Sequence, residues 1–159
     1  MRCMMTRFAF LILVSIGLCA QAAPQAASGL KDRADAAQGG DRVNLSLEYA
    51  HQELEQANRL YTDGDVEKGE AAVQEALTYA QRATTAATSM NKKLKQTEID
   101  LRKLQHRMRD IGASLNIDDR PPVEKAVQQI EELRSNLLAK MFGEKAEPGS
   151  KADPKDKSQ

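Results

Sequence analysis

Apolar and small residues recur at alternating steps of three and four from Val66 to Leu115, and this stripe is the dominant pattern of the chain. No charged residue falls on its fifteen positions, although fifteen of the fifty residues in that span are charged. Such spacing predicts a long, coiled-coil-like helix over about 66–111 that packs lengthwise against other helices. Its predicted packing seam consists of Val66, Val73, Ala76, Ala80, Ala83, Leu94, Leu101, Leu104, Met108 and Ile111.

A second apolar repeat precedes the long helix. Steps of four and three from Val43 to Tyr61 predict a helix over about 44–62. The sequence Asp63-Gly64-Asp65 then predicts a tight turn, because glycine adopts the left-handed conformation that ends helices and aspartate accepts hydrogen bonds at the start of the next one. This turn is short enough to fold the first helix back along the long one.

A third helix is predicted over about 121–142, where Pro121 and Pro122 suit a first helical turn. It is long enough to cover the second half of the long helix. The sequence therefore predicts an all-α domain over 43–142, in which a long central helix is packed by two shorter antiparallel helices as two consecutive hairpins. The hydroxyl-rich residues 84–89 leave open whether the long helix is continuous, because their side chains compete for backbone hydrogen bonds.

A Gly-Asp turn lies within residues 57–77, with leucine and tyrosine before it and small, bulky and small residues after it. The residues concerned are Leu60, Tyr61, Gly64, Asp65, Gly69, Val73 and Ala76. In this order they resemble a single helical hairpin of the tetratricopeptide repeat family. The resemblance implies a role in protein–protein interaction.

Several apolar residues lie beside the predicted seam and widen the apolar face of the helices. A single layer of helices buries little apolar surface per residue, so these residues predict a partner surface. The expected partner is a second copy of the chain or another protein of the cell envelope. The candidate interface residues are Leu60, Leu77, Tyr79, Val127, Leu138, Met141 and Phe142.

The N-terminus has the pattern of an export signal. A basic start is followed by the short apolar run 8–18 and by Ala20-Gln21-Ala22, a small-x-small cleavage site. The prediction is a signal peptide over 1–22, cleaved after Ala22, with no stable membrane insertion of the mature chain. Retention of the segment as an anchor, or lipid modification at Cys19, remains an alternative.

Both cysteines, Cys3 and Cys19, lie within the predicted signal peptide, so the mature chain has no thiol. Disulfides and cysteine-ligated metals are excluded from such a chain, which suits a bacterial periplasmic or extracellular protein. Residues 23–42 lack apolar periodicity and are predicted to be a disordered leader, and residues 143–159 a disordered tail.

The remaining composition argues against catalysis and nucleic-acid binding. The chain has 23 basic and 23 acidic residues, which leaves no general excess of positive charge for a phosphate backbone. His51 and His106 lie on different predicted helices without nearby ligand partners, and no catalytic, cofactor or metal motif occurs. The predicted function is therefore an exported, non-enzymatic interaction or scaffolding protein of the bacterial cell envelope; the alternative is a periplasmic chaperone-like binder of client segments.

Overall fold

A computed structural model describes the backbone of residues 25–143 and the side chains of residues 29–143. All regular structure in these residues is helical, which confirms the predicted all-α fold class. The predicted signal peptide 1–22, with its cleavage site at Ala22 and Cys19, lies outside the described residues, as do residues 144–159 of the predicted tail. The elements are α1 (Gln25–Ala36), α2 (Gly39–Thr62), α3 (Val66–Met90), α4 (Leu94–Ser114), a 3₁₀ helix (Ile117–Asp119) and α5 (Arg120–Gly143).

Helices α2 and α3 form an antiparallel hairpin and pack along most of their lengths. The turn between them uses Gly64 at φ +84, a backbone conformation that favours glycine. Gly69 allows close approach, because a Cβ at that position would lie 2.9 Å from the ring of Tyr61. Near the middle of the hairpin the rings of Tyr49 and Tyr79 meet edge to face at 4.4 Å.

Helices α4 and α5 form a second antiparallel hairpin. Gly112 of α4 faces Val123 of α5, where a Cβ on the glycine would stand 3.4 Å from the valine side chain. Toward the other end, Arg134 of α5 donates to Glu98 of α4 at 2.8 Å. These two contacts fix the register between the helices.

The two hairpins pack on one another, with α2 beside α4 and α3 beside α5. Lys93 donates to Asn44 at 2.8 Å, and Arg107 donates to Glu55 through two bonds of 2.8 Å each. Since both positions advance together along α2 and α4, these helices run in the same direction. The result is a four-helix bundle around one apolar core. Its largest fully buried side chains include Leu54, Val73, Leu101, Leu104, Met108, Ile111, Val123, Ile130 and Leu137.

The structure divides the single helix predicted over 66–111 into α3 and α4. Residues 84–89 remain helical, while the chain reverses at residues 91–93. Asn91 has φ 51 and Lys93 has φ 59, and the N–H groups of Asn91 and Lys92 donate to the carbonyls of Thr88 and Ala87, which closes α3. The reversal brings both halves of the seam into one core, a deeper burial than a single layer of helices provides.

The structure also corrects the leader predicted over 23–42, because α1 and the start of α2 lie within it. Among the described side chains of α1, residues 29–36, only Leu30 and Ala34 are buried, at 9% and 0% exposure. Two apolar contacts do not produce a helical repeat in the sequence, so the docking of α1 depends on contacts that periodicity does not reveal.

Candidate interaction surface

The residues assigned to the seam form the interior of the bundle. Eight of the ten are fully buried, and Val66 and Leu94, each the first residue of a helix, are half-buried. The seam thus lies within one chain and is not available to a partner. The buried members are Val73, Ala76, Ala80, Ala83, Leu101, Leu104, Met108 and Ile111.

Two residues of the predicted partner surface are also internal, which corrects the prediction. Leu77 is 4% exposed and Tyr79 is 2% exposed. Helix α1 covers Tyr79: the tyrosine hydroxyl donates to Asp35 at 2.6 Å, and the ammonium of Lys31 lies 5.1 Å from the ring centroid. The segment expected to be disordered therefore covers a flank that was expected to receive a partner.

The other predicted interface residues lie in three separate places. Leu60 lines a shallow groove between α2 and α3 that also contains Glu53 and Glu75. Val127 lines a groove between α4 and α5. Leu138 and Met141 are half-buried on the last turns of α5, where Phe142 is 64% exposed. The structure does not bring these residues into one continuous patch.

The groove between α4 and α5 is a concave surface with a volume of about 480 Å³. Its floor is apolar and formed by Met108, Gly112, Val123 and Val127, and Ala113 lies exposed at its edge. Because Gly112 and Ala113 have little or no side chain, the α4 wall of the groove does not project, and the groove is open to solvent. Neither residue was assigned to an interface from sequence, although two adjacent small residues near the end of a helix are a signal for such a groove.

Charged side chains border this groove on both helices. Arg109 lies 3.5 Å from Glu131, and Arg120 is held by a hydrogen bond to the carbonyl of Leu115 at 2.9 Å. Glu124 completes the rim. The groove thus pairs an apolar floor with both signs of charge at its border, as is usual for protein-binding surfaces.

A buried network beyond the groove holds α4 and α5 together. Glu98, almost fully buried, accepts hydrogen bonds from Arg134 and Arg102, and Arg134 also donates to Gln105 at 2.6 Å. The hydrogen bonds from Arg134 and Arg102 lower the pKa of Glu98, although burial opposes them. The paired carboxylate fixes the register of the two helices and hence the walls of the groove.

A second polar network attaches α1 to the bundle. Lys31 pairs with Glu75, and Arg82 pairs with Asp35. Hydrogen bonds from Tyr79 and Arg82 lower the pKa of Asp35. Below this layer Glu53 is buried, and burial raises its pKa. The arrangement places charges at the contacts of α1 with the bundle, and Glu53 and Glu75 also line the groove that contains Leu60.

The histidines occupy unrelated positions. His51 is half-buried on α2, and burial lowers its pKa, whereas His106 is exposed on α4. Within residues 25–143 no group of three or more His, Cys, Asp or Glu side chains is placed to hold a metal ion. No helix in the same residues is long and apolar enough to cross a membrane.

Comparison of the chain with models of protein families, with curated proteins and with solved structures finds no match in any of the three.

Proposed function

We propose that this chain is an exported, non-enzymatic helical protein that acts through protein–protein interaction, as a partner or scaffold in the bacterial cell envelope. The observation that carries the proposal is the open groove between α4 and α5, with its apolar floor and charged rim. A groove between two helices suits the apolar face of a partner helix or an extended apolar segment. The predicted export signal over residues 1–22 is the basis for the proposed location in the cell envelope.

The rigid walls of the groove support a specific partner. The buried Glu98–Arg134 pair and the close contact of Gly112 with Val123 set the separation of α4 and α5. A preformed surface loses little conformational entropy when it binds, which favours one complementary partner over many clients. A chaperone-like binder of client segments is the alternative outcome of the experiment.

Site-specific photo-crosslinking in the cell envelope tests this function. A photoreactive residue at Ala113, exposed at the groove, is expected to yield one dominant crosslinked product. The same residue at Ala36, an exposed alanine at the end of α1, is the matched control. A broad distribution of products at position 113 supports the chaperone-like alternative, and equal labelling at both positions contradicts the groove as the site.

A further inference from the structure

The two ends of the bundle differ in charge. One end, here called the basic tip, contains the turn 91–93, the first turns of α2 and α4, and the last two turns of α5. The basic residues Arg42, Lys92, Lys93, Lys95 and Lys140 lie there with Asp41 as the one acidic residue. The opposite end, here called the acidic tip, contains the turns 63–65 and 116–119 with the adjoining turns of α2, α3 and α5. Asp63, Asp65, Glu67, Asp118 and Asp119 lie there with the basic residues Arg59, Lys68 and Arg120, so the net charge of this tip is negative, and Lys68 donates to Asp65 at 3.0 Å.

Contacts on the structure establish which residues share an end. At the basic tip Lys93 donates to Asn44, and a Cβ at Gly39 would stand 3.9 Å from Met90. Helices α4 and α5 run in opposite directions, and each rises 1.5 Å per residue. Counted from the contact of Gly112 with Val123, eighteen residues along each helix, Met141 therefore lies level with Leu94. At the acidic tip Asp119 lies close enough to Tyr61 to contribute to its pKa of about 12, which burial chiefly raises.

An exposed apolar side chain marks each tip. Ile117 at the acidic tip is 77% exposed and Phe142 at the basic tip is 64% exposed, and they are the only exposed large apolar side chains among residues 29–143. Phe142 lies at the end with a net positive charge and Ile117 at the end with a net negative charge. The chain therefore carries two small surfaces that are complementary in charge and alike in apolar character.

We propose that copies of this chain associate head to tail, the basic tip of one against the acidic tip of the next. Such a contact covers both exposed apolar side chains and neutralises both charged ends. It is a heterologous contact, so every assembly of copies keeps one free basic tip and one free acidic tip, and the association extends into chains of copies. Docking of the basic tip on an anionic membrane is the rival, but it leaves the acidic tip and Ile117 without a role.

The area available makes the contact weak. Two helices side by side span about 20 Å, so a tip presents about 400 Å² and a contact between two copies buries about 800 Å² in total. Stable interfaces bury about 1,200 Å² or more. The dissociation constant of the contact is therefore expected to be tens to hundreds of micromolar at low salt. Added salt should raise it, because the charges at the tips are exposed.

Sedimentation equilibrium of protein expressed from the full-length gene tests the proposal. At 50 mM NaCl the average mass is expected to rise with concentration and to pass that of a dimer, and at 500 mM NaCl the association constant is expected to fall at least tenfold. Phe142→Ser and Ile117→Ser should each abolish the rise. Ala139→Ser, an exposed position one turn before Phe142, should leave it unchanged.

Charge reversal at a single tip separates head-to-tail contact from other modes. Lys92→Glu/Lys95→Glu removes the net positive charge of the basic tip, and Asp63→Lys/Asp118→Lys removes the net negative charge of the acidic tip; all four side chains are exposed. Each variant alone should sediment as one chain, while an equimolar mixture should form a complex. Circular dichroism confirms that each variant retains its helix content.

Three results would overturn the proposal. One is a mass of a single chain at all concentrations up to 500 μM in 50 mM NaCl. Another is self-association of a double variant on its own, which indicates contact between like ends. The third is binding of the monomeric protein to vesicles containing 30% phosphatidylglycerol but not to phosphatidylcholine vesicles, which assigns the basic tip to a membrane. The proposal does not depend on the groove, since the crosslinking at Ala113 and these variants probe different surfaces.

Discussion

At the scale of single residues, the space around a helical glycine decides whether an added methyl group stabilises or destabilises the fold. Gly69 lies against the ring of Tyr61, whose hydroxyl is buried without a hydrogen-bond partner among the described residues. Gly29 has nothing within 4 Å of the position where a Cβ would stand. Both glycines are helical, so their difference isolates packing from helix propensity.

Gly69→Ala is expected to destabilise the fold by about 1–2 kcal/mol, because the added methyl group overlaps the Tyr61 ring and this outweighs the gain in helix propensity. Gly29→Ala is the matched control and is expected to be neutral or to stabilise α1 by up to about 1 kcal/mol. Urea unfolding followed by circular dichroism measures both. Equal effects of the two substitutions would show that the Tyr61 contact does not constrain α3.

Two glutamates buried to a similar degree differ in the sign of their pKa change. The pKa of Glu98 is lowered by its arginine partners, so its ionised form stabilises the fold above pH about 4.5, and this contribution is lost as the pH falls through the folded pKa. The pKa of Glu53 is raised by burial, so its ionised form costs stability at neutral pH. That cost disappears as the carboxyl becomes protonated on acidification.

At pH 7, Glu98→Gln is expected to destabilise the fold by about 1–3 kcal/mol, because the network loses its negative charge and one of its two acceptor oxygens. Glu53→Gln is expected to be neutral or stabilising by up to about 1 kcal/mol. Both differences from the wild type should shrink as the pH approaches 4. Unfolding curves at pH 7, 5.5 and 4 check the signs, and a loss of stability at pH 7 in both variants would contradict the assignment for Glu53.

At the scale of elements, the turn between α3 and α4 decides the fold. Asn91 occupies the left-handed position that closes α3, and asparagine accepts this conformation at moderate cost. The apolar stripe continues through the turn, because Met90, Leu94 and Thr97 keep the three-four spacing across it. The apolar spacing therefore does not reveal the reversal. The local residues are the better signal, because asparagine with lysines beside it is common at helix ends.

Asn91→Gly is expected to stabilise the protein by about 0.5–1 kcal/mol, and Asn91→Ala to destabilise it by about 1 kcal/mol. The reason is that glycine enters the left-handed region freely and alanine does not. Denaturant midpoints of the two variants measure the difference. If Asn91→Ala were the more stable of the two, the chain would favour the single long helix over the turn.

Helix α1 depends on polar contacts, and this makes its docking separable from the rest of the fold. Asp35→Ala removes the acceptor for both Tyr79 and Arg82. The expected result is faster amide exchange in Gln25–Ala36, with exchange in α2–α5 nearly unchanged. Asp32→Ala changes an exposed side chain of the same helix and is the control. Hydrogen exchange with mass spectrometry resolves the segments, and unchanged protection in Asp35→Ala would mean that Leu30 and Ala34 suffice to hold α1.

At the scale of the whole molecule, the groove and the two tips of the bundle are the surfaces that we propose for interaction. The predicted cleavage after Ala22 precedes the first residue that the structure describes, so it would remove none of the described helices.

The exported protein is expected to begin at Ala23, and N-terminal sequencing of material from the periplasm or culture medium checks this. Replacement of Ala20 and Ala22 by bulky residues should block processing, because signal peptidases require small side chains at these positions. A lipid mass on Cys19 or an intact N-terminus in the membrane fraction would establish one of the two alternatives.

The sequence by itself determined the all-helical class and the helix limits near Thr62 and Val66, because glycine and aspartate at helix ends act locally. Only the tertiary structure decided that the seam closes into a bundle, that α1 covers Tyr79, and that the two tips carry opposite charges. These features join residues far apart in the chain through burial and pairing. A linear apolar period records which face is buried, and several arrangements of helices can bury the same face.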